Sequence, residues 1–169
     1  MRRMSTGSKR SLPLIAVLHN AGDAGAPLHL ERARRRLGGA ASSGAGCGRI
    51  VEVIGAGNIP VLGVVLHQTE ADVDVWVGEA LVRRTRSDKV FAIDVSAREV
   101  SDATLRAASD ARVFGAIERG ARVLYDAGDG CVAEGLLVER CRYGGLVARD
   151  DGAVMAVGFR RLWPAEGRS

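Results

Sequence analysis

The sequence has few aromatic residues and few cysteines, and each shortage excludes something. Aromatic residues make up 4% of the 169 residues, so any core must consist mainly of Val, Leu, Ile and Ala. The three cysteines, Cys47, Cys131 and Cys141, form no C-x-x-C pair, which argues against a zinc site and a disulfide framework. An odd number of cysteines fits reduced thiols, and we expect a cytoplasmic protein.

Metal, membrane and catalytic signals are absent as well. The histidines, His19, His29 and His67, form no H-x-x-x-H pattern, so we expect no metal. No apolar run approaches the ~20 residues of a membrane span. Asp72 and Asp74 share a face of one predicted strand, but carboxylates at this spacing usually face solvent. We therefore expect no enzyme activity, no cofactor and no membrane partner.

Positive charge is concentrated at the start of the chain. The net charge is +4, but residues 1–49 hold nine basic and two acidic side chains, whereas residues 50–169 hold fifteen basic and eighteen acidic ones. Arg far outnumbers Lys, which is typical of a GC-rich bacterial genome. We expect residues 1–47 to be a flexible, basic, low-complexity segment, either a solvated tail or a place for nucleic acid. Its basic cluster comprises Arg32, Arg34, Arg35 and Arg36.

From Gly48 onward the chain consists of short Val, Leu and Ile runs separated by Gly and Asp, a pattern typical of β-strands. Asp72–Val77 alternates strictly between polar or aromatic residues and Val, as in a half-buried antiparallel strand. Ser96 and Glu99 have capping-box spacing and predict a helix from about residue 97 to 109. Similar strand-like runs return after this helix, which predicts a mainly β protein.

The two strand-rich blocks resemble each other. The spacing of their glycines and of the apolar pairs that follow suggests a repeat without an internal helix, which predicts two small barrels in tandem. The similarity rests on three glycine pairs: Gly48 with Gly120, Gly63 with Gly135, and Gly78 with Gly152.

The motif Gly55-Ala56-Gly57 begins like a dinucleotide-binding fingerprint. That fingerprint needs a third glycine, where this chain has Pro60, and a helix, where this chain has another strand-like run. We therefore interpret residues 55–60 as a turn between the first two strands of a small barrel.

The second block resembles an SH3-like barrel of the Tudor/KOW type. It has the Gly-x-x-Val start at Gly120, a glycine in the second strand at Gly135, an Asp-Asp-Gly turn at 150–152 and a closing Leu-x-Pro at 162–164. The first block resembles the pattern more loosely. The resemblance implies two SH3-like barrels joined by a helix, after a flexible N-terminal segment. The domains would be 1–47 (basic segment), 48–95 (barrel 1), 96–118 (helix) and 119–164 (barrel 2).

This resemblance implies binding rather than catalysis, and the first hypothesis is a non-enzymatic adaptor that recognises a protein or peptide. Tudor-like domains hold methylated Lys or Arg in an aromatic cage. Phe159 and Trp163 have an alternative role as core residues of the barrel. The candidate binding aromatics are Tyr125, Tyr143, Phe159 and Trp163 in the second block and Trp76 in the first.

Two alternative functions stay open. A KOW-like protein would bind nucleic acid or the ribosome through the basic segment and further arginines, although the acidic balance of residues 50–169 argues against a broad nucleic-acid surface. A PilZ-like cyclic di-GMP sensor is the other, because Arg32-to-Arg36 matches Arg-x-x-x-Arg and Asp94-Val95-Ser96 begins Asp-x-Ser-x-x-Gly, with Glu99 in place of the glycine. The further candidate arginines are Arg83, Arg84, Arg86, Arg160 and Arg161.

Overall fold

The structure is a computed structural model that describes residues 15–17, 26–41, 46–78 and 82–166. Within these ranges the chain forms two antiparallel β-sheets and two α-helices, which confirms the prediction of a mainly β protein. None of the helices in these ranges is long and apolar enough to cross a membrane.

The strand-like runs predicted after Gly48 fall on ten strands of the structure, because alternating Val, Leu and Ile residues suit a pleated surface and Gly and Asp end it. In chain order the elements are β1 (Ile15–Val17), α1 (Ala26–Arg36), β2 (Ile50–Ile54), β3 (Pro60–Gln68), β4 (Asp72–Trp76), β5 (Val82–Arg86), β6 (Val90–Ala92), α2 (Asp102–Ala116), β7 (Arg122–Gly128), β8 (Cys131–Arg140), β9 (Gly144–Ala148), β10 (Ala153–Gly158) and β11 (Leu162–Pro164).

Both sheets use the same strand connections. In the first, β2 to β5 form a meander, and β6 returns after the 3-10 turn Ser87–Lys89 to pair with β2. In the second, β7 to β10 form a meander, and β11 returns after the 3-10 turn Phe159–Arg161 to pair with β7. β1 adds a sixth strand to the second sheet beside β10.

The two sheets form an internal repeat with a constant offset of 72 residues. We call residues 48–92 repeat 1 and residues 120–164 repeat 2. The strand registers, the β-bulges in β3 and β8, and both 3-10 turns keep this offset. Equivalent pairs include Gly48 and Gly120, Val51 and Val123, Gly63 and Gly135, Val75 and Val147, and Val90 and Leu162.

The third predicted glycine pair is wrong. Gly78 lies 72 residues before Asp150, not before Gly152. Both glycines have positive φ, 120° for Gly78 and 81° for Gly152. They occupy non-equivalent positions in their turns, the first between β4 and β5 and the second between β9 and β10. A turn fixes which of its positions needs a glycine, so the glycine moves when the turn changes.

Helix α2 begins later than the sequence predicts. Ser101 is its N-cap, and the Ser101 hydroxyl accepts a hydrogen bond from the backbone N–H of Thr104 at 3.2 Å. Ser96, the predicted cap, lies in a 3-10 turn instead, where its N–H donates to Asp94 at 3.0 Å. The capping-box spacing therefore marked a tight turn that precedes the helix.

Both helices pack against sheets. Helix α2 lies between the outer face of repeat 1 and the interior of repeat 2, and these three parts share one apolar core. Helix α1 places Ala33 and Leu37 on the outer face of repeat 2, against Leu146 and Ala156. Part of the segment predicted to be flexible, residues 26–41, is thus packed onto the second sheet.

Substituting the paired glycines is expected to destabilise the protein. A Cβ on Gly63 would lie 2.8 Å from the carbonyl oxygen of Trp76, and a Cβ on Gly135 would lie 2.7 Å from that of Ala148. Gly63→Ala and Gly135→Ala should each lower the free energy of unfolding by about 1–3 kcal/mol in urea titrations. Gly158→Ala is the control, since nothing lies within 4 Å of its Cβ, and equal losses in all three variants would contradict the close approach.

Candidate functional site

Asp74 is buried, with 2% of its surface exposed, so the prediction that it faces solvent is wrong. Strand β4 is covered on both faces. Val73 and Val75 lie in the interior of repeat 1, whereas Trp76 belongs to the core shared with α2 and repeat 2. Successive side chains still point to opposite faces of β4, but another part of the protein covers the face that was predicted to be polar and exposed.

Two arginines compensate the buried carboxylate. Arg84, the cross-strand neighbour of Asp74, approaches it with Nε at 2.8 Å from Oδ1 and Nη2 at 3.3 Å from Oδ2. Arg142 of repeat 2 places Nη1 3.5 Å from Oδ2. Forked guanidinium contacts of this kind are strong and directional. The carboxylate therefore joins the two repeats.

His67 and Tyr143 complete this ion cluster. Burial, followed by the charge of Arg142, lowers the pKa of His67, so its ring is neutral near pH 7 and the 3.8 Å approach of its Nδ1 to Asp74 is no ion pair. Burial and the Asp74 carboxylate raise the pKa of Tyr143, so its phenol keeps its proton. The N–H of Tyr143 donates to the carbonyl of Leu37 at 2.9 Å, just after α1.

A cleft of about 670 Å³ lies next to the ion cluster, and Tyr143 belongs to both. Helix α1 and both repeats contribute to its walls, so its side chains come from distant parts of the chain. The aromatic lining residues are Trp76, Tyr143, Phe159 and Trp163. The basic lining residues are Arg36, Arg160 and Arg161.

The cleft wall carries more positive than negative charge. The Arg160 guanidinium lies 5.3 Å from the centre of the Trp76 ring, and its Nε is 3.2 Å from Asp110. Arg161 lies 3.7 Å from Asp126, the single acidic residue among the described lining residues. Three guanidinium groups beside apolar rings suit a ligand with both negative charge and apolar surface.

Six of the ten predicted site residues meet in this cleft, and three lie elsewhere. Tyr125 is 1% exposed inside repeat 2 and is a core residue. Arg84 holds Asp74, and Arg86 pairs with Asp88 at 3.2 Å on an exposed turn. The side chain of Arg83 lies outside the described part of the structure. The six residues in the cleft are Trp76, Tyr143, Phe159, Trp163, Arg160 and Arg161.

Phe159 and Trp163 were also predicted to have an alternative role as core residues, and they differ in burial. Phe159 is buried in the shared core, whereas Trp163 on β11 is half-buried and offers one side to the cleft. Nothing in the sequence paired Arg142 with Asp74. The one local signal for the ion cluster was a pair of opposite charges, Asp74 and Arg84, on successive strands.

The predicted basic cluster has separate roles. The Nε of Arg34 donates to Glu139 of β8 at 2.7 Å, so this residue anchors α1 to the second sheet. Arg35 pairs with Glu31 at 3.3 Å on the helix surface. Arg36 lines the cleft, and Arg32 is exposed.

The described residues offer little reactive chemistry. No three His, Cys, Asp or Glu side chains within the described ranges are placed to hold a metal ion. Burial raises the pKa of Cys141 to about 12, so this thiol is a packed side chain and not a nucleophile.

Asp74→Asn is expected to lower the free energy of unfolding by about 3 kcal/mol, because two guanidinium groups lose their buried counter-charge. Asp72→Asn is a matched control two residues away on the same strand, where the side chain is exposed. Chemical denaturation compares the two. A similar small loss in both variants would show that the ion cluster does not stabilise the fold.

The depressed pKa of His67 predicts that stability falls as the pH drops below about 6.5. In the pH window between the lowered pKa of the folded protein and about 6.5, His67 of the unfolded chain binds a proton. In the folded protein the same ring stays neutral, because it is buried and faces Arg142 and Arg84 as well as Asp74. Above the window both forms are neutral and the effect vanishes. His67→Gln should flatten the fall in thermal midpoint, whereas the exposed control His29→Gln should not. Equal slopes in all proteins would disprove this role.

Comparison with known proteins supplies no template for the cleft or the ion cluster. No family model, no curated protein and no solved structure matches the chain. The resemblances to Tudor/KOW and PilZ domains therefore stay predictions. The case for a function rests on the residues that converge in the cleft.

Proposed function

We propose that the protein is a non-enzymatic binding protein that recognises an acidic peptide segment of a protein partner. The observation that carries the proposal is the convergence of three arginines and four aromatic side chains on one cleft. We expect this role in the cytoplasm, because the three cysteines are free thiols.

The apolar wall supplies the anchoring surface. Tyr143 and Trp163 are half-buried; the first lies beside Asp74, and the second stands on a strand where it pairs with Leu124. Aromatic side chains held in this way dominate the free energy of many protein interfaces. The volume of about 670 Å³ falls within the range of sites that enclose a small ligand or a few side chains.

The charges favour an anionic ligand over the methylated Lys or Arg that Tudor-like domains bind. A cationic ligand would approach three guanidinium groups, and the ring face of Trp76 is already covered by Arg160. A carboxylate side chain, in contrast, would gain charge-assisted hydrogen bonds from Arg36 or Arg161. The proposed ligand is therefore a peptide with acidic residues beside an apolar one.

We further propose that each repeat is an SH3-like barrel. In both repeats a four-strand meander is followed by a 3-10 turn and a fifth strand that pairs with the first, and this order supports the proposal. The close approach of β3 to β4 at Gly63, and of β8 to β9 at Gly135, supports strong coiling of both sheets.

Nucleic-acid binding is the second candidate. Arg32 and Arg36 are one helical turn apart on α1, and Arg36 reaches the cleft, so a basic stripe leads to aromatic rings that could stack on bases. The peptide is favoured because residues 50–169 hold eighteen acidic and fifteen basic side chains, a balance that argues against a broad surface for a polyanion.

Tryptophan fluorescence tests the proposal, since both tryptophans of the chain line the cleft. A short glutamate-rich peptide with a central phenylalanine should change the emission saturably, and its lysine-rich counterpart should not. Arg161→Gln should weaken the binding about ten-fold, which corresponds to one charge-assisted hydrogen bond. Arg86→Gln, which removes the same charge outside the cleft, is the control.

Three other results would overturn the peptide assignment. The first is an equal response to both peptides. The second is salt-sensitive binding of an oligouridylate that exceeds peptide binding and is lost in Arg32→Gln, which would favour nucleic acid. The third is saturable binding of cyclic di-GMP, measured by calorimetry, that displaces the acidic peptide.

A further inference from the structure

A second surface, separate from the cleft, lies on the outer face of repeat 2. Leu136 on β8 is 42% exposed there, next to the half-buried Val138. Together with Arg119 and Gly120 they border a hollow of about 220 Å³. We call these four residues the outer docking face. Large apolar side chains that stay exposed beside a hollow often mark an interaction site.

The internal repeat shows what covers the equivalent surface elsewhere in the molecule. With the offset of 72 residues, Leu136 and Gly120 correspond to Val64 and Gly48. Val64 is 0% exposed because α2 lies on it. A Cβ on Gly48 would lie 2.6 Å from the carbonyl oxygen of Ala108 in α2, whereas nothing lies within 4 Å of one on Gly120.

Helix α2 fits this surface through small side chains. Ala107, Ala108 and Ala111 are each fully buried in the core that α2 shares with both repeats, and the backbone of α2 comes close to repeat 1 at Gly48. The apolar strip needed for such packing is narrow, because the other fully buried residue of the helix is Phe114. In repeat 2, α1 covers the outer face at Leu146 and Ala156, but no helix of the described residues lies on Leu136 and Gly120.

We propose that the outer docking face binds an amphipathic α-helix of a partner protein, with small residues spaced as Ala107, Ala108 and Ala111 are in α2. The exposed Arg119 beside the hollow selects a partner helix with an acidic side chain at that end. Neither α1 nor α2, the two helices of the described residues, is this occupant, since both bury their apolar faces in their own chain.

The test uses a labelled peptide with the sequence of residues 101–116, in which lysine replaces Arg106 so that a lactam bridge from its amine to the carboxyl group of Asp102 keeps the peptide helical. Its fluorescence anisotropy should rise saturably with the full-length protein. Leu136→Asp should weaken the binding at least ten-fold, because it places a charge in the apolar contact. Val95→Asp is the control, since Val95 is 41% exposed but lies outside this face.

The outcomes separate this proposal from that for the cleft. Arg161→Gln should leave helix binding unchanged, and Leu136→Asp should leave the response to the acidic peptide unchanged. Leu136→Lys repeats the test, and unaltered thermal midpoints show that both variants are folded. Absence of saturable binding, or equal binding by Leu136→Asp, overturns the proposal. So does sedimentation showing that the wild type forms a dimer which Leu136→Asp dissociates, since the occupant would then be a second copy.

Discussion

The buried carboxylate of Asp74 links repeat 1 to repeat 2 through one arginine from each repeat. Taking a carboxylate out of water costs several kcal/mol, and the guanidinium groups of Arg84 and Arg142 offset that cost here. Arg84 comes from the same sheet and Arg142 from the other repeat. Because Tyr143 follows Arg142 directly, the same contact fixes one aromatic wall of the cleft.

The internal repeat explains how one strand pattern serves two surroundings. Asp74 and Arg84 in repeat 1 correspond to Leu146 and Ala156 in repeat 2. In repeat 1 these positions meet the polar edge of repeat 2, so they carry charges. In repeat 2 they meet the apolar face of α1, so they carry apolar side chains. Strand order and register are the same in both repeats. The side chains on the outer face can therefore differ between the repeats without disturbing the backbone hydrogen bonds between the strands.

Local signals predicted the strands well and the site only in part. The strand-like runs were visible because alternation and glycine breaks act over a few residues. The start of α2 was misplaced because both Ser96 and Ser101 are residues that can cap a helix. The helix begins directly after Ser101, whereas Ser96 lies in the turn before it. The burial of Asp74 was missed, since a polar residue on one strand face tells nothing about the layer that covers that face.

The sequence by itself determined the mainly β character, the strand positions and the two-fold repetition, because period-two alternation and the spacing of Gly63 and Gly135 are properties of the chain alone. Only the tertiary structure decided which side chains work together. Arg36, Trp76 and Trp163 are far apart in sequence and meet in one cleft because α1 and both repeats pack there. Burial and charge pairing depend on these distant neighbours, and no local pattern records them.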